Sequence, residues 1–404
     1  MATEFINKGP LSGVRVLELA HVMAGPTCGR ILADLGAEVI KLERLGGEDC
    51  RHMAPPWQGD EAAGFLMLNR NKKGIAVNLK AEEGRQIVFD LVKETDIVIE
   101  NFRKGTMEKL GIGYDVLREI NKGLILCEIS GYGRTGPYSD KGGYDVVAQA
   151  MSGVMSVTGE GVGRPPVKSG VPVADIGAGM SAVIGILAAY AHREKTGEGQ
   201  VVDTSLLEVG ASFMTWPIAS YYADGSIAKP MGTAHPLDAP YQGFEASDGW
   251  FMVGAANQAN WLRLVKAIDA PHLAEDPRFL ENPQRVENLD ALVEELSAIF
   301  IQKPKAYWID ALDGANVPTG PIYNVAEMLE DEQIKARGMV MDVEHKTLGT
   351  VKTFGLPIRF SETPAYSNKS SPVLGEHTEE VLSTLGYSSD KIEDLKKQGV
   401  VTSS

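Results

Sequence analysis

Cysteine is scarce: Cys28, Cys50 and Cys127 are the only three in 404 residues, far apart and with no CxxC pair. That spacing excludes a disulfide frame and a thiolate zinc site, and it suits a reducing compartment. Histidine is sparse too. The seven present form neither an HExxH pair nor a compact cluster, so no metal site is expected. Positive charge is in deficit, with 39 lysines and arginines against 54 aspartates and glutamates, a net of −15. Nucleic acids and membrane surfaces want an electropositive face, so neither is expected as a partner. A small anionic ligand needs only a local basic pocket and stays open. Long apolar runs are missing as well; the longest helical one, residues 180–191, is shorter than a bilayer requires. The opening residues Met1, Ala2, Thr3 and Glu4 are polar and acidic, unlike a signal peptide. The expectation is a soluble cytoplasmic protein.

Several catalytic signatures are absent. No GxxxxGK[ST] occurs, which removes support for P-loop chemistry. No GxSxG elbow occurs, which removes the commonest sign of an α/β-hydrolase. One dinucleotide signature is literally present, Gly131-Tyr132-Gly133-Arg134-Thr135-Gly136. In a nucleotide site those glycines open a helix whose N-terminus meets the pyrophosphate. Here Pro137, Tyr138, Ser139 and Asp140 follow, which is turn composition, so a tight glycine turn is expected.

What is present is a regular alternation. Residues 14–19, 37–42, 75–79, 97–100, 124–130 and 201–205 read as strands, with helices at 28–35, 82–94 and 144–154 between them. Residues 170–175 read as a further strand that feeds a helix running to about 192. Such alternation implies an α/β fold, a parallel sheet covered on both faces. The pattern changes after about residue 223, where 225–240 is rich in Gly, Pro and Ser and reads as a crossing segment. A strand at 250–254 and helices near 260–268, 289–300 and 305–312 suggest a smaller α+β unit. Strands return at 339–343 and 350–354, and 390–399 reads as a terminal helix. The division expected is a large domain of 1–222 and 340–404, a small one of 226–330, and linkers at 223–225 and 331–339.

One constellation carries chemistry: Val171-Pro172-Val173-Ala174-Asp175-Ile176-Gly177-Ala178-Gly179-Met180. An apolar strand ends in a carboxylate, and small residues lead into an apolar helix. On the plain reading Asp175 caps that helix. On the functional reading the helix dipole keeps the carboxylate ionised, and Gly177 and Gly179 let an acyl group approach. Asp175 could then attack an activated carbonyl, splitting one difficult step into two easier ones.

The sequence resembles the family III CoA-transferases (CaiB/BaiF type), which include formyl-CoA:oxalate and carnitine CoA-transferases. The likeness runs over nearly the whole chain. It starts at Leu11-Ser-Gly-Val-Arg-Val-Leu17 and Ala24-Gly-Pro26, then Ala37-Glu-Val-Ile-Lys-Leu-Glu-Arg44 and Leu68-Asn-Arg-Asn-Lys-Lys73. It continues through Glu100-Asn-Phe102, Tyr144-Asp-Val-Val-Ala-Gln149, the Asp175 segment and His192-Arg-Glu-Lys-Thr-Gly-Glu-Gly-Gln200. It ends at Gly232-Thr-Ala-His235 and Leu374-Gly-Glu-His-Thr378. The resemblance implies Asp175 as the nucleophile of a covalent aspartyl mechanism, with backbone N–H groups near Gly177 as oxyanion donors. It implies coenzyme A or an acyl-CoA as substrate, no tightly bound cofactor, and a small organic acid as the second substrate. By the same likeness Met23, Arg44, Val77, Asn78, Leu79, Lys80, Asn101, Phe102, Arg103, Lys109, Gly142, Gly143, Tyr144 and Asp145 match CoA-contacting positions. Arg44 lies where doubly wound folds touch a ribose, and its planar fork suits a phosphate there. The fold implied is a large Rossmann-like doubly wound domain plus a small one, assembled as an interlocked-ring homodimer or as a heteromer with a related subunit.

The α-methylacyl-CoA racemases share this framework and need a second base, a histidine, before the aspartate. Here Tyr144 takes that place, and a phenol with a reference pKa of about 10 is a poor base at neutral pH. A silent CoA-binding partner subunit and a thioesterase are the remaining alternatives. The chain also departs from the oxalate enzymes: Met23 replaces a glutamine, and their glycine-rich loop has no counterpart between Gly225 and Phe251. In its place stands the small-residue turn Gly254-Ala255-Ala256-Asn257. A less polar pocket suits a bulkier acid, so the expectation leans to succinyl-CoA as donor and a larger, dicarboxylic acceptor.

Overall fold

A computed structural model describes residues 9–365 and 369–404; the polar N-terminal residues Met1, Ala2, Thr3 and Glu4 lie outside that range. The chain divides into two compact units: Met1–Val154, Ser169–Trp216 and Glu332–Ser404 form the first, Met155–Lys168 and Pro217–Asp331 the second. The second unit thus starts nine residues before the expected 226 and takes in Met155–Lys168, which the pattern had put in the large domain.

The first unit is built on a seven-stranded sheet. Its strands are β1 (Arg15–Glu18), β2 (Glu38–Glu43), β3 (Lys72–Val77), β4 (Ile97–Glu100), β5 (Ile125–Ser130), β6 (Val201–Ser205) and β7 (Val401–Thr402). Their order is β7-β3-β2-β1-β4-β5-β6. The six long strands are parallel. Successive side chains of a strand point to opposite faces, so each strand feeds two cores. Val16, Val39, Ile97, Ile99, Ile125 and Cys127 pack into one layer; Leu17, Leu42, Ile75, Val77, Val98 and Leu126 pack into the other. The order reverses at β1, with β2 on one side and β4 on the other. Ligands of open α/β sheets bind outside the carboxyl ends of the strands at such a switch point.

Two features were not legible in the pattern. Strand β7, from the last residues of the chain, pairs antiparallel with β3 through Val401 and Val77. And 170–175 is not a strand. After α1 (Ala24–Asp34), α2 (Glu82–Val92) and α3 (Asp145–Met151) comes a single helix α4, Val173–Thr196, and Asp175 lies inside its first turn. Helix α4 is therefore 24 residues long, much longer than the apolar stretch expected, and long and apolar enough to cross a membrane by length and composition. It is nonetheless a core helix along one face: Ala174, Ala178, Ala182, Ile186 and Ala189 recur at helical spacing and are buried in the first layer. Gly197, at φ 76°, closes its C-terminus.

Small residues let α4 approach its neighbours. A Cβ on Gly179 would stand 2.7 Å from the Ala24 carbonyl oxygen, and one on Gly177 would stand 2.6 Å from Phe213 Cζ. These glycines serve contacts with α1 and with α5 (Leu206–Ser212), where the sequence had assigned them to acyl access. The opposite face of α4 is bare: Met180 is 50% exposed and Ile184 70%.

The second unit holds a three-stranded antiparallel sheet, ordered Thr319–Pro321, Gly249–Gly254, Tyr241–Ala246. Its core is aromatic, with Phe244, Phe251, Trp261, Phe279, Phe300 and Trp308. The turn after Gly254 places Asn257 as N-cap of the helix Gln258–Ala267, its side chain accepting from Asn260 N–H at 2.9 Å.

Candidate active site

Two clefts follow one another along the carboxyl edge of the sheet. The first, about 470 Å³, lies over β3, β2 and β1 and is lined by Leu19, His21, Leu42, Arg44, Val77, Asn78, Leu79, Lys80, Phe102 and Leu110. Its walls are mostly apolar, and among the described residues Arg44 and Lys80 are the lysines and arginines that line it. The second, about 170 Å³, lies beyond the ends of β4, β5 and β6; among its lining residues are Asn101, Phe102, Arg103, Gly142, Gly143, Tyr144 and Asp175. Phe102 belongs to both.

The sequence-derived residues thus sort into two groups, one in each cleft. Three do not line either. Met23 is the N-cap of α1, its sulfur facing Thr27 Oγ1 at 3.9 Å. Lys109 is exposed on the short helix Thr106–Lys109. Asp145 sits behind the wall, against α4. Asn101 acts through the backbone: its Oδ1 accepts from His21 N–H and its Nδ2 donates to His21 C=O, both at 2.8 Å. His21 in turn stacks edge-on against Phe102 at 5.2 Å. Arg44 is exposed, and its guanidinium donates to Gly47 C=O and Asp49, each at 2.6 Å.

Asp175 is half-buried at the cleft wall. It does not cap its helix, since the N-cap position is Pro172. Burial, and next the Asp145 carboxylate, push its pKa up to about 6, so the group is not held low by the dipole as the sequence reading supposed. The N–H groups of the first turn are all taken. Val173 donates to Val171 C=O at 2.8 Å and Ile176 to Pro172 C=O at 3.0 Å. Ala174 and Asp175 donate to Asp145 Oδ1 at 2.9 and 3.3 Å. Gly177 lies deeper in the same helix, so the expected oxyanion donors are not free there.

Sequence reasoning missed three basic side chains on the second cleft, Lys104, Arg134 and Lys141. Lys104 donates to Ser139 Oγ at 3.0 Å, and Lys141 lies 3.9 Å over the Tyr138 ring. Arg134 comes from the false dinucleotide motif. No helix follows that motif; Gly133 and Gly136 have φ of 87° and 78°, a turn as expected. The turn aims Arg134 inward, where it donates to Phe102 C=O at 3.0 Å and pairs with Glu100 and with Glu128 (3.2 Å). Burial pushes the Glu100 carboxyl up to about 7, against the Arg134 charge.

Beneath the turn between β1 and α1 lies a buried ion network. Lys41 Nζ bridges Glu18 and Glu48, each at 2.9 Å, and Lys72 Nζ meets Glu18 at 2.8 Å. These groups also hold the turn's backbone. Lys41 donates to Ala20 C=O (2.8 Å), Lys72 to Pro26 C=O (3.0 Å), and Glu48 accepts from Val22 N–H (2.7 Å). Val22 has φ 65°, a strained value for a β-branched residue. Burial lowers the Lys72 pKa to about 8, opposed by Glu18. The blocks at 37–44 and 68–73 therefore brace the turn that carries His21, Met23 and Ala24.

Comparison with known proteins places the chain in a family. The profile described as CoA-transferase family III matches residues 11–378. The chain is 39% identical to a succinyl-CoA:glutarate CoA-transferase of Mus musculus, covering 97% of this chain and 90% of that protein. It is 37% identical to a succinyl-CoA–D-citramalate CoA-transferase of Chloroflexus aurantiacus, covering 97% and 98%. A crystal structure of a CaiB/BaiF family protein from Brucella suis superposes with a TM-score of 0.85 at 40% identity, covering 93% of this chain and 99% of that one. With the family model matched over residues 11–378 and relatives of 37–40% identity along nearly its whole length, the chain is an enzyme of the family III CoA-transferases.

Proposed function

We propose that the protein moves coenzyme A from succinyl-CoA to a second dicarboxylic acid through a covalent intermediate on Asp175. The observation that carries this reading is the placement of Asp175 on the wall of one cleft while Phe102 joins that cleft to the next. A CoA nucleotide lies over the apolar first cleft with phosphates at Arg44 and Lys80, and its thioester passes Phe102 toward Asp175. The relatives named for succinyl-CoA, glutarate and citramalate support both donor and acceptor class.

In the first step an Asp175 oxygen attacks the thioester carbonyl. The C–S bond breaks, CoA leaves as the thiolate with the electron pair, and an acyl-aspartyl anhydride remains. The thiolate then attacks Asp175 Cγ, the C–O bond breaks, and succinate departs from an aspartyl-CoA thioester. The acceptor carboxylate attacks Cγ in turn and the two steps run in reverse. No proton is gained or lost overall. The Lys104 and Lys141 charges at the cleft favour the anionic acids and the oxyanions. A racemase would need a histidine base opposite Asp175, and Tyr144 stands in that histidine's place on the same cleft.

The bare apolar face of α4, with Val146, Val147 and Met151 of α3 also exposed, supports a second copy of the chain as its cover, in the interlocked form that the family likeness implies. Three free buried cysteines support work in a reducing, cytoplasmic compartment.

The test is mass spectrometry after incubation with a panel of acyl-CoA donors and hydroxylamine trapping. An adduct on Asp175 with succinyl-CoA is expected. Asp175→Ala should fold with unchanged unfolding midpoint and lose transfer; transfer retained by that variant refutes the mechanism.

A further inference from the structure

We propose that Asp145 is a positioning residue for Asp175: its carboxylate caps helix α4 from thirty residues away and sets a negative charge beside the nucleophile. This rests on the reading of Asp175 as nucleophile, and it gives Asp145 a task other than contact with CoA.

Helix α4 has no cap of its own. Pro172 precedes it, and proline offers neither a side-chain acceptor nor an N–H. Asp145 Oδ1 supplies what is missing by accepting from Ala174 N–H at 2.9 Å and from the N–H of Asp175 itself at 3.3 Å. The second oxygen is also engaged, accepting from Gln149 Nε2 at 2.6 Å. Gln149 is fully buried, and its own oxygen accepts from Ser169 N–H at 2.9 Å. A chain of contacts thus runs from the segment before α4, through Gln149 and Asp145, to the backbone of the nucleophile. With both oxygens spent inside the protein, Asp145 has little left for a ligand.

The charge of Asp145 matters as well as its geometry. Charged groups sharing the cleft with Asp175 are Arg103, Lys104, Arg134 and Lys141. Arg134 is spent on Glu100 and Glu128. From α5, Glu208 accepts from Ser205 Oγ at 2.6 Å; from α1, Ala24 and Thr27 are the residues nearest Gly179, and neither is charged. Beside burial, the Asp145 carboxylate is what raises Asp175. A carboxylate of raised pKa is a stronger nucleophile, and one near 6 is still largely ionised at neutral pH.

Two variants separate geometry from charge. Asp145→Asn keeps an oxygen that accepts from the same N–H groups, since asparagine is as good a cap as aspartate, and removes the charge; its Nδ2 meets Gln149 Nε2, so the Gln149 amide turns to offer Oε1 and gives up Ser169 N–H. The rate of adduct formation on Asp175, measured against pH, should keep its plateau within about threefold while its acid limb moves down by about one pH unit. Asp145→Ala removes the cap, and kcat should fall on the order of 10- to 100-fold while KM for the acyl-CoA stays within about twofold. An unmoved acid limb in Asp145→Asn, or a raised KM with kcat intact in Asp145→Ala, overturns the proposal. If the wild type forms no adduct on Asp175, the nucleophile reading falls instead. The carboxyl carbon shift of Asp175 against pH, assigned with Asp175→Asn, then tests the charge coupling without any turnover: a lower midpoint in Asp145→Asn upholds it, and an unchanged one refutes it.

Discussion

Replacing Gly179 by alanine probes the contact that sets the height of Asp175. The added Cβ would sit 2.7 Å from the Ala24 carbonyl oxygen and 2.8 Å from Thr27 Cβ, where nonbonded atoms settle at about 3.5 Å. Relief takes about 0.8 Å of separation between α1 and α4. Ala24 O is main chain and Thr27 is buried, so no flexible side-chain end can give way. Overpacking of this kind destabilises by about 1–3 kcal/mol. Asp175 lies one turn earlier on the same helix, so the shift reaches the proposed nucleophile, and a displacement near 1 Å should lower kcat on the order of 10²-fold. Gly177→Ala is the control. Its Cβ meets Phe213 Cζ and Val209 Cγ1, side-chain ends that can rotate, so its loss should be smaller in both measurements. Urea unfolding and the rate of CoA transfer give the two numbers. If Gly179→Ala matches wild type in both, the packing of α1 on α4 does not set the position of Asp175.

Other perturbations reach the remaining parts of the machine. Lys72→Met leaves Glu18 with Lys41 as its one remaining ammonium partner and should destabilise by about 3 kcal/mol, the low end for breaking a buried pair; a urea-derived loss below about 1 kcal/mol would count against the network as a brace. Arg44→Ala should raise KM for the acyl-CoA several-fold with kcat kept, because the residue lies at the first cleft and away from Asp175; a fall in kcat alone would contradict that placement. Asp175 must be ionised to attack, and with its pKa near 6 the active fraction is about nine-tenths at pH 7 and about one-tenth at pH 5. Adduct formation should therefore weaken tenfold per unit on the acid side, and a midpoint near pH 4 would mean that burial does not act as described.

Much of the first unit was legible because its strands are β-branched runs separated by helical periodicity, a pattern that survives any detail of packing. The strand assigned to 170–175 failed for a local reason. Val171 and Val173 look like strand residues, but Pro172 ends the extended segment and the Ala- and Gly-rich stretch after it packs as helix. Strand Tyr241–Ala246 was missed since Gln242 is buried where a polar residue argues for the surface. At the site, the edge residues 77–80 and 101–103 stood out only through the family resemblance, which also favoured the functional reading of Asp175 over helix capping. The Asp145 cap did not, because it joins positions thirty apart that only the fold brings together. Arg134 hid within a motif that pointed to another chemistry, and Lys104 and Lys141 looked like ordinary solvated lysines.

Strand β7 ties the wall of the first cleft to a distant part of the chain. Its residues Val401 and Thr402 seal the β3 edge. Ahead of them in the chain, His377 and Thr378 clasp the same strand, with His377 N–H donating to Gly74 C=O at 2.9 Å and Ala76 N–H donating to Thr378 Oγ1 at 3.2 Å. Strand β3 leads straight into Val77, Asn78, Leu79 and Lys80, the wall of the first cleft. More than three hundred positions of sequence separate β3 from the strand that covers its edge. Contacts so distant in sequence form late in folding, so the edge that leads into residues 77–80 is among the last parts of the sheet to be held in place.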